Sequence, residues 1–204
     1  MASKNSVRER TPLDRARIAA TALEMIEEVG VDRLTMRAVA ARLDVSAMAL
    51  YHHVEDKEEL LRLVGDDILG HVELPDPDSG DWRDLFTAVS MAAVDALLAV
   101  PGFSSVLLTS KMLPNARRMI LFCIHQFERG GLDREAAQEI YAGVQTLVLG
   151  RLLIEETANF KLSPAPHPDD EIRDYIVKLR SLASFYGALS ALVDRRVSSA
   201  AERE

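Results

Sequence analysis

The sequence predicts an all-α fold. A small N-terminal module of three to four helices, in a helix-turn-helix arrangement, joins a larger helical domain. Three observations carry this. Apolar residues recur at three- and four-residue spacings almost throughout. Thr35, Ser46 and Asp56, each a good N-cap, divide the N-terminal region into short helices. No segment alternates polar and apolar residues as a half-buried strand does.

Taken in order, Ile18, Ala22, Ile26 and Val29 form a stripe flanked by Leu23 and closed by Gly30, which predicts a first helix over Asp14–Val29. Thr35 caps a second helix, buried through Met36, Val39, Ala40 and Leu43. Asp44 and Val45 make a turn, and Ser46 caps a third helix running through about His53. Asp56 caps a fourth, with Leu60, Leu61, Val64 and Ile68 on its buried side. The stretch PDPDSGD, Pro75 to Asp81, breaks the pattern. Beyond it, helices are expected over Trp82–Ala99, Phe103–Lys111, Asn115–Glu128, Arg134–Ala158 and Asp170–Val197, with the proline-rich LSPAPHPDD before the last. We divide the chain into domains 1–65 and 66–204.

The formal net charge of −8 excludes a protein that coats nucleic acid over its whole surface, so any such contact must be local. Residues 1–65 carry ten basic and eleven acidic side chains, and the clearly basic stretch is Met1 to Arg17. That arm either lies along a phosphate backbone or minor groove, or is a solvated tail. The single cysteine, Cys123, excludes an intramolecular disulfide and a multi-cysteine metal site. In the run LFCIHQF it reads as a small buried hydrophobe and fits a cytoplasmic location. The N-terminal residues lack a signal-peptide h-region. The longest apolar region, Tyr141 to Ile154, is interrupted by Gln145 and Arg151 and is too short for a bilayer, so no membrane association is expected.

The tight link between the second and third helices has a physical use. Ala40 and Leu43 can pack on Leu50 while the outer side of the third helix stays free. Small residues at Ala47 and Ala49 keep that helix slim enough for a major groove. Together with Met48 they can meet thymine methyls but donate no side-chain hydrogen bonds. Thr35 can cap its helix and also reach a phosphate. In these residues the chain resembles a known family. TALEMIEEVG and LTMRAVAARLDVSAMALYHHVEDKEELL are similar to the DNA-binding domain of the TetR family of transcriptional repressors, over Leu13 to Gly70. The stretches DWRDLF, QFERGGL and VLGRLL resemble the regulatory domain of its tetracycline-repressor branch.

The resemblance implies double-stranded DNA as partner. It implies that Tyr51, His53 and Lys57 touch phosphates and that Arg37 reaches a guanine edge. His52 reaches a base or the backbone. A metal at the His52–His53 pair is not expected, because adjacent helical residues point about 100° apart and no third ligand converges on them.

The resemblance also implies that the second domain is a ligand-binding and dimerisation domain in which a small molecule moves the fourth helix. Candidate pocket residues are Phe86, Met91, Leu107, Met112, Phe122, His125, Gln126, Tyr141 and Gln145. Polar groups in such apolar surroundings need a partner, which could be protein, water or ligand. The branch's drug- and magnesium-binding histidines fall near Leu107 and Glu73 here, with His71 offset. Tetracycline, magnesium and other cofactors are therefore not expected, and the effector reads as largely apolar or aromatic.

The last two long helices suggest a homodimer. Ile172, Ile176, Leu179, Ala183, Tyr186 and Val193 make one stripe of the final helix, and Tyr175, Leu182, Leu189 and Leu192 a second. Gly143 and Gly150 share a face that would let another helix approach. The alternative is that both stripes are internal core. Enzyme chemistry is disfavoured: His125 with Glu128 is the best acid–base pair, and no glycine-rich phosphate loop or HExxH run is present. The expected function is a ligand-responsive transcriptional regulator, a repressor released from a palindromic operator. The alternatives are an activator or a small-molecule-binding dimer with little DNA binding.

Overall fold

The computed structural model describes residues 12–100, 113–159 and 169–201. Among these the chain is all-helical, with no strand: α1 Arg15–Val29, α2 Met36–Arg42, α3 Ala47–Tyr51, α4 Lys57–Gly70, α5 Trp82–Leu98, α6 Pro114–Arg129, α7 Arg134–Asn159, α8 Asp170–Arg180 and α9 Leu182–Ala201. A single 3-10 turn, Val31–Arg33, links α1 to α2. The helix expected over Phe103–Lys111 lies outside the described residues.

The N-terminal helices start where the side chains can satisfy orphan backbone amides. Thr35 Oγ1 accepts from the Ala38 amide at 3.2 Å, Ser46 Oγ from Ala49 at 3.1 Å, and Asp56 Oδ1 from Glu59 at 2.7 Å. Helix α2 ends in a Schellman turn. Val45 N–H donates to the Ala40 carbonyl and Asp44 N–H to Ala41, with Asp44 in the left-handed region at φ 56°. The apolar partners that accompany such a turn, Ala40 and Val45, both pack into the core.

One buried cluster takes residues from every described helix but α8. Ile18, Leu34, Val39, Leu50, Val54, Leu60 and Val64 bury the short helices on α1 and α4. Ile68 and Leu69 of α4 continue it to Phe86, Phe127 and Val144 of α5, α6 and α7. Helix α4 therefore contributes to both ends of the core.

Two features differ from the sequence reading. Helix α3 stops at Tyr51 rather than His53, because its last turn tightens: His53 N–H donates to the Leu50 carbonyl three residues back. The final helix is not continuous. Ser181 is extended (φ −78°, ψ 125°), its Oγ accepts from the Ser184 amide, and α8 meets α9 at 72°. Near the break, the Leu179 carbonyl accepts from Arg151 Nη1 of α7. Among the described residues, a Cβ at Gly143 would lie an ordinary 3.7 Å from Leu192 of α9, and one at Gly150 would meet nothing within 4 Å, so the Gly150 face of α7 is open within the protomer. No single described helix is long and apolar enough to cross a membrane.

Candidate functional site

Burial of Leu50 and Val54 on either side of the α3 end turns Met48, Tyr51 and His52 to solvent. Met48 is 69% exposed and Tyr51 48%, so both side chains are open to a partner that meets this face. Thr35 and Arg37 at the start of α2 are also exposed, and Arg37 pairs with no described residue. Ala47 and Ala49 are half-buried and add little bulk to the face.

Two basic residues have structural partners. Lys57 is half-buried and its Nζ donates to the Val31 carbonyl at 2.8 Å, tying α4 to the α1–α2 link. Arg15, which the sequence places in the basic arm, is instead tied across the surface of the module. Its Nη2 meets Glu59 Oε1 at 2.5 Å and its Nη1 donates to the His53 carbonyl at 3.1 Å. Glu59, buried at the start of α4, also accepts from the Glu55 amide at 2.6 Å. The segment after α3 is thus held from both sides, which fixes the backbone carrying His52 and His53.

A second site lies farther along α4. A cavity of about 640 Å³ opens between α4, α5, α6 and α7, within the size range of small-molecule pockets. Its walls are mainly aliphatic: Ala93, Val94 and Leu97 from α5, Met119, Ile120 and Ile124 from α6, and Val144, Val148 and Leu149 from α7. Arg62, Asp66 and Leu69 bring α4 to one side. Arg62 is not an isolated charge, since its Nη1 donates to Glu58 Oε1 at 2.8 Å.

The polar wall is built by Ser90, Cys123, Tyr141 and Gln145. Gln145 Nε2 donates to the Tyr141 hydroxyl at 2.7 Å. Burial pushes the Cys123 thiol up to about 12 and the Tyr141 hydroxyl well above its ordinary range, so both stay protonated near neutral pH. In that state each carries a proton it can donate in a hydrogen bond.

The candidate pocket residues divide. Tyr141 and Gln145 line the cavity; Leu107 and Met112 lie outside the described residues. The remaining candidates sit elsewhere for a reason of helix geometry: Met119, Ile120, Cys123 and Ile124 take the cavity face of α6, which turns Phe122 and Gln126 away. Gln126 is fully buried and satisfied by protein, donating to the Pro77 carbonyl at 3.1 Å and accepting from Arg129 at 2.8 Å. His125 stands at the surface, 3.5 Å from Asp78 and 3.8 Å from Glu128. Phe86 packs at 4.6 Å on Phe127, and Met91 is half-buried outside the cavity. The sequence reading missed Asp66, Ser90 and Gln138; polar residues inside apolar runs were the available signal for Ser90. No group of three or more His, Cys, Asp or Glu among the described residues is arranged to hold a metal. His71 is exposed, with Nδ1 2.8 Å from the Asp67 carbonyl, and Glu73 is exposed beyond the end of α4.

Residues 18–64, from α1 to α4, match the family model of bacterial regulatory proteins of the tetR family. An HTH-type transcriptional regulator of Saccharopolyspora erythraea is 31% identical over 145 residues, which is 70% of this chain and 61% of that protein. The chain belongs to the TetR family. Within it, the class C tetracycline repressor of Escherichia coli is 36% identical over 89 residues, 43% of this chain and 41% of that one. The matched parts therefore span less than two thirds of either relative's length. Among solved TetR-family structures, apo ActR of Streptomyces coelicolor superposes with a TM-score of 0.75 at 25% identity, covering 95% of this chain and 99% of that one. ActR in complex with actinorhodin gives 0.75 at 25% identity, over 93% and 99%.

Proposed function

We propose that the chain is a homodimeric, ligand-responsive DNA-binding regulator, with residues 1–65 reading DNA and 66–204 binding the effector and the partner protomer. It acts by binding, as a cytoplasmic repressor that leaves a near-palindromic operator when a small molecule enters the cavity. One observation carries this: α4 packs on α1 in the core that also takes Leu50 of α3, through Leu60 and Val64, and ends as a wall of the cavity, through Asp66 and Leu69. A change at one end is a change at the other. In a dimer, tilting α4 alters the separation of the two α3 helices, and half-sites about 34–36 Å apart are sensitive to it. A ligand preferring one tilt shifts the population toward it.

On this reading Arg37 reaches a base edge. Thr35, Tyr51, His53 and Lys57 contact phosphates, and Ala47, Met48, Ala49 and His52 meet the groove. The cavity walls favour a bulky, mainly apolar effector whose one polar edge meets Tyr141 and Gln145. ActR, seen with actinorhodin, supports a small molecule as the signal.

The test is an anisotropy titration on DNA flanking the gene, with unrelated competitor and a salt series. Saturable binding to a short inverted repeat is expected; its absence from a folded dimer would overturn the reading. Arg37→Ala is expected to cost about 1–3 kcal/mol of specific binding with little effect on non-specific affinity. Lys57→Ala is expected to weaken all sequences alike and reduce the salt slope by about one.

Dimerisation through α7 to α9 is supported by apolar surface left open in the protomer: Leu153 is 55% exposed, Tyr175 59%, Val177 68% and Leu182 39%. Leu182→Asp is expected to yield monomers or aggregates by light scattering. A stable dimer that still binds the operator would place the interface elsewhere.

A further inference from the structure

Helix α6 is capped from outside its own segment. Its N-cap position is Leu113, which offers no side-chain acceptor, and Pro114 opens the helix. The next amides are taken by α4. Asp66 Oδ1 accepts from the Ala116 amide at 2.9 Å and Oδ2 from the Asn115 amide at 3.3 Å. The Asn115 side-chain amide donates back to the Asp66 carbonyl at 3.1 Å. A carboxylate there satisfies orphan donors and meets the positive end of the α6 dipole.

Gly70 makes room for this arrangement. A Cβ at that position would lie 2.6 Å from Asn115 Nδ2, too close for both atoms to keep their places. Asn115 cannot yield freely, because its amide is held by Asp66. Arg118 Nη2 adds a further tie from α6, to the Val72 carbonyl just beyond α4, at 3.1 Å. Asp66, Leu113 and Ala116 also border the cavity, so the contact stands where an occupant parting α4 from α6 would strain it first.

We propose that Asp66 and Asn115, seated against Gly70, form a clasp that holds α4 in its operator-binding arrangement. Asp66 is a positioning residue: it acts through the tilt of α4 and touches no DNA. The proposal rests on the DNA-regulator reading above. Releasing the clasp frees α4 to sample other tilts, and the operator-competent fraction falls.

The test measures operator affinity for the full-length wild type first, then for Asp66→Ala, Asp66→Asn and Gly70→Ala. Asp66→Ala is expected to weaken operator binding about tenfold, within the roughly 5- to 150-fold span of coupled sites. Asp66→Asn keeps an acceptor without the charge and is expected to lose less. Gly70→Ala improves helix propensity yet displaces Asn115, so weaker operator binding there separates the clasp from simple destabilisation. The slope of log affinity against log salt is expected to stay at the wild-type value, because no phosphate contact is removed. Amide exchange at Asn115 and Ala116 is expected to rise in Asp66→Ala. A folded Asp66→Ala protein with wild-type operator affinity would overturn the clasp. If that variant does not fold, wild-type affinity in Gly70→Ala overturns it. A wild type that binds no inverted repeat fails the regulator reading itself; variants that bind as the wild type does fail the clasp alone.

Discussion

Leu50→Ala is expected to abolish most specific DNA binding while removing about 2–5 kcal/mol of stability. Helix α3 has five residues, far too few to hold itself by backbone hydrogen bonds. Its position comes from Leu50, which has no exposed surface, and from the Ser46 cap at 3.1 Å. Truncating Leu50 opens a void under the helix and leaves the cap alone to aim Met48, Tyr51 and His52. Base contacts need side chains placed to a fraction of an ångström, whereas phosphate attraction tolerates movement. Specific affinity is therefore expected to fall toward the non-specific level, a loss on the order of a thousandfold or more, with non-specific binding largely kept. Urea denaturation and anisotropy on matched and scrambled sites check both parts. A folded variant that still discriminates the operator as the wild type does would show that α3 is not the reading element.

What the sequence made legible was local. Thr35, Ser46 and Asp56 announce their helices because each side chain bonds an amide three residues on. The 3.6-residue stripes of α1 and α4 name their buried residues for the same reason. The break at Ser181 was not legible, because serine ends no helix by itself and the apolar spacing runs across it without interruption. It took the bonds at Arg151 and Ser184 to show it. The cavity was half legible. Tyr141 and Gln145 are polar groups in an apolar run and do line it, but Gln126 gives the same signal and spends its hydrogen bonds on Pro77 and Arg129. Sequence spacing cannot distinguish these outcomes, since the Pro77 carbonyl lies 49 residues away in the chain. Asp66 was invisible for a related reason: its partners are backbone amides, which every residue but proline carries.

The companion to Leu50 stands at the other end of the molecule. Phe127 of α6 has no exposed surface; its ring is tilted against Phe86 at 4.6 Å and meets Trp82 edge-on at 6.1 Å. Phe127→Ala is expected to cost about 3–5 kcal/mol, from the transfer of the ring, the unfilled cavity it leaves and the lost tilted and edge-on ring contacts. This cluster locks the C-terminal half of α6 to α5, and the bonds from Gln126 and Arg129 to the Pro77 carbonyl lock it to the connector after α4. Helix α6 is thus anchored at its end, and its hydrogen bonds to α4 among the described residues lie near its start. That asymmetry makes it a fixed reference against which α4 can tilt. The expected pattern is opposite to that of Leu50→Ala: a large drop in the denaturation midpoint, but operator affinity per folded dimer close to wild type at low temperature. Denaturation curves and active-fraction-corrected titrations measure the two separately. If Phe127→Ala lost operator binding while fully folded, α6 would be part of the moving element and the division between fixed and mobile helices would have to be redrawn.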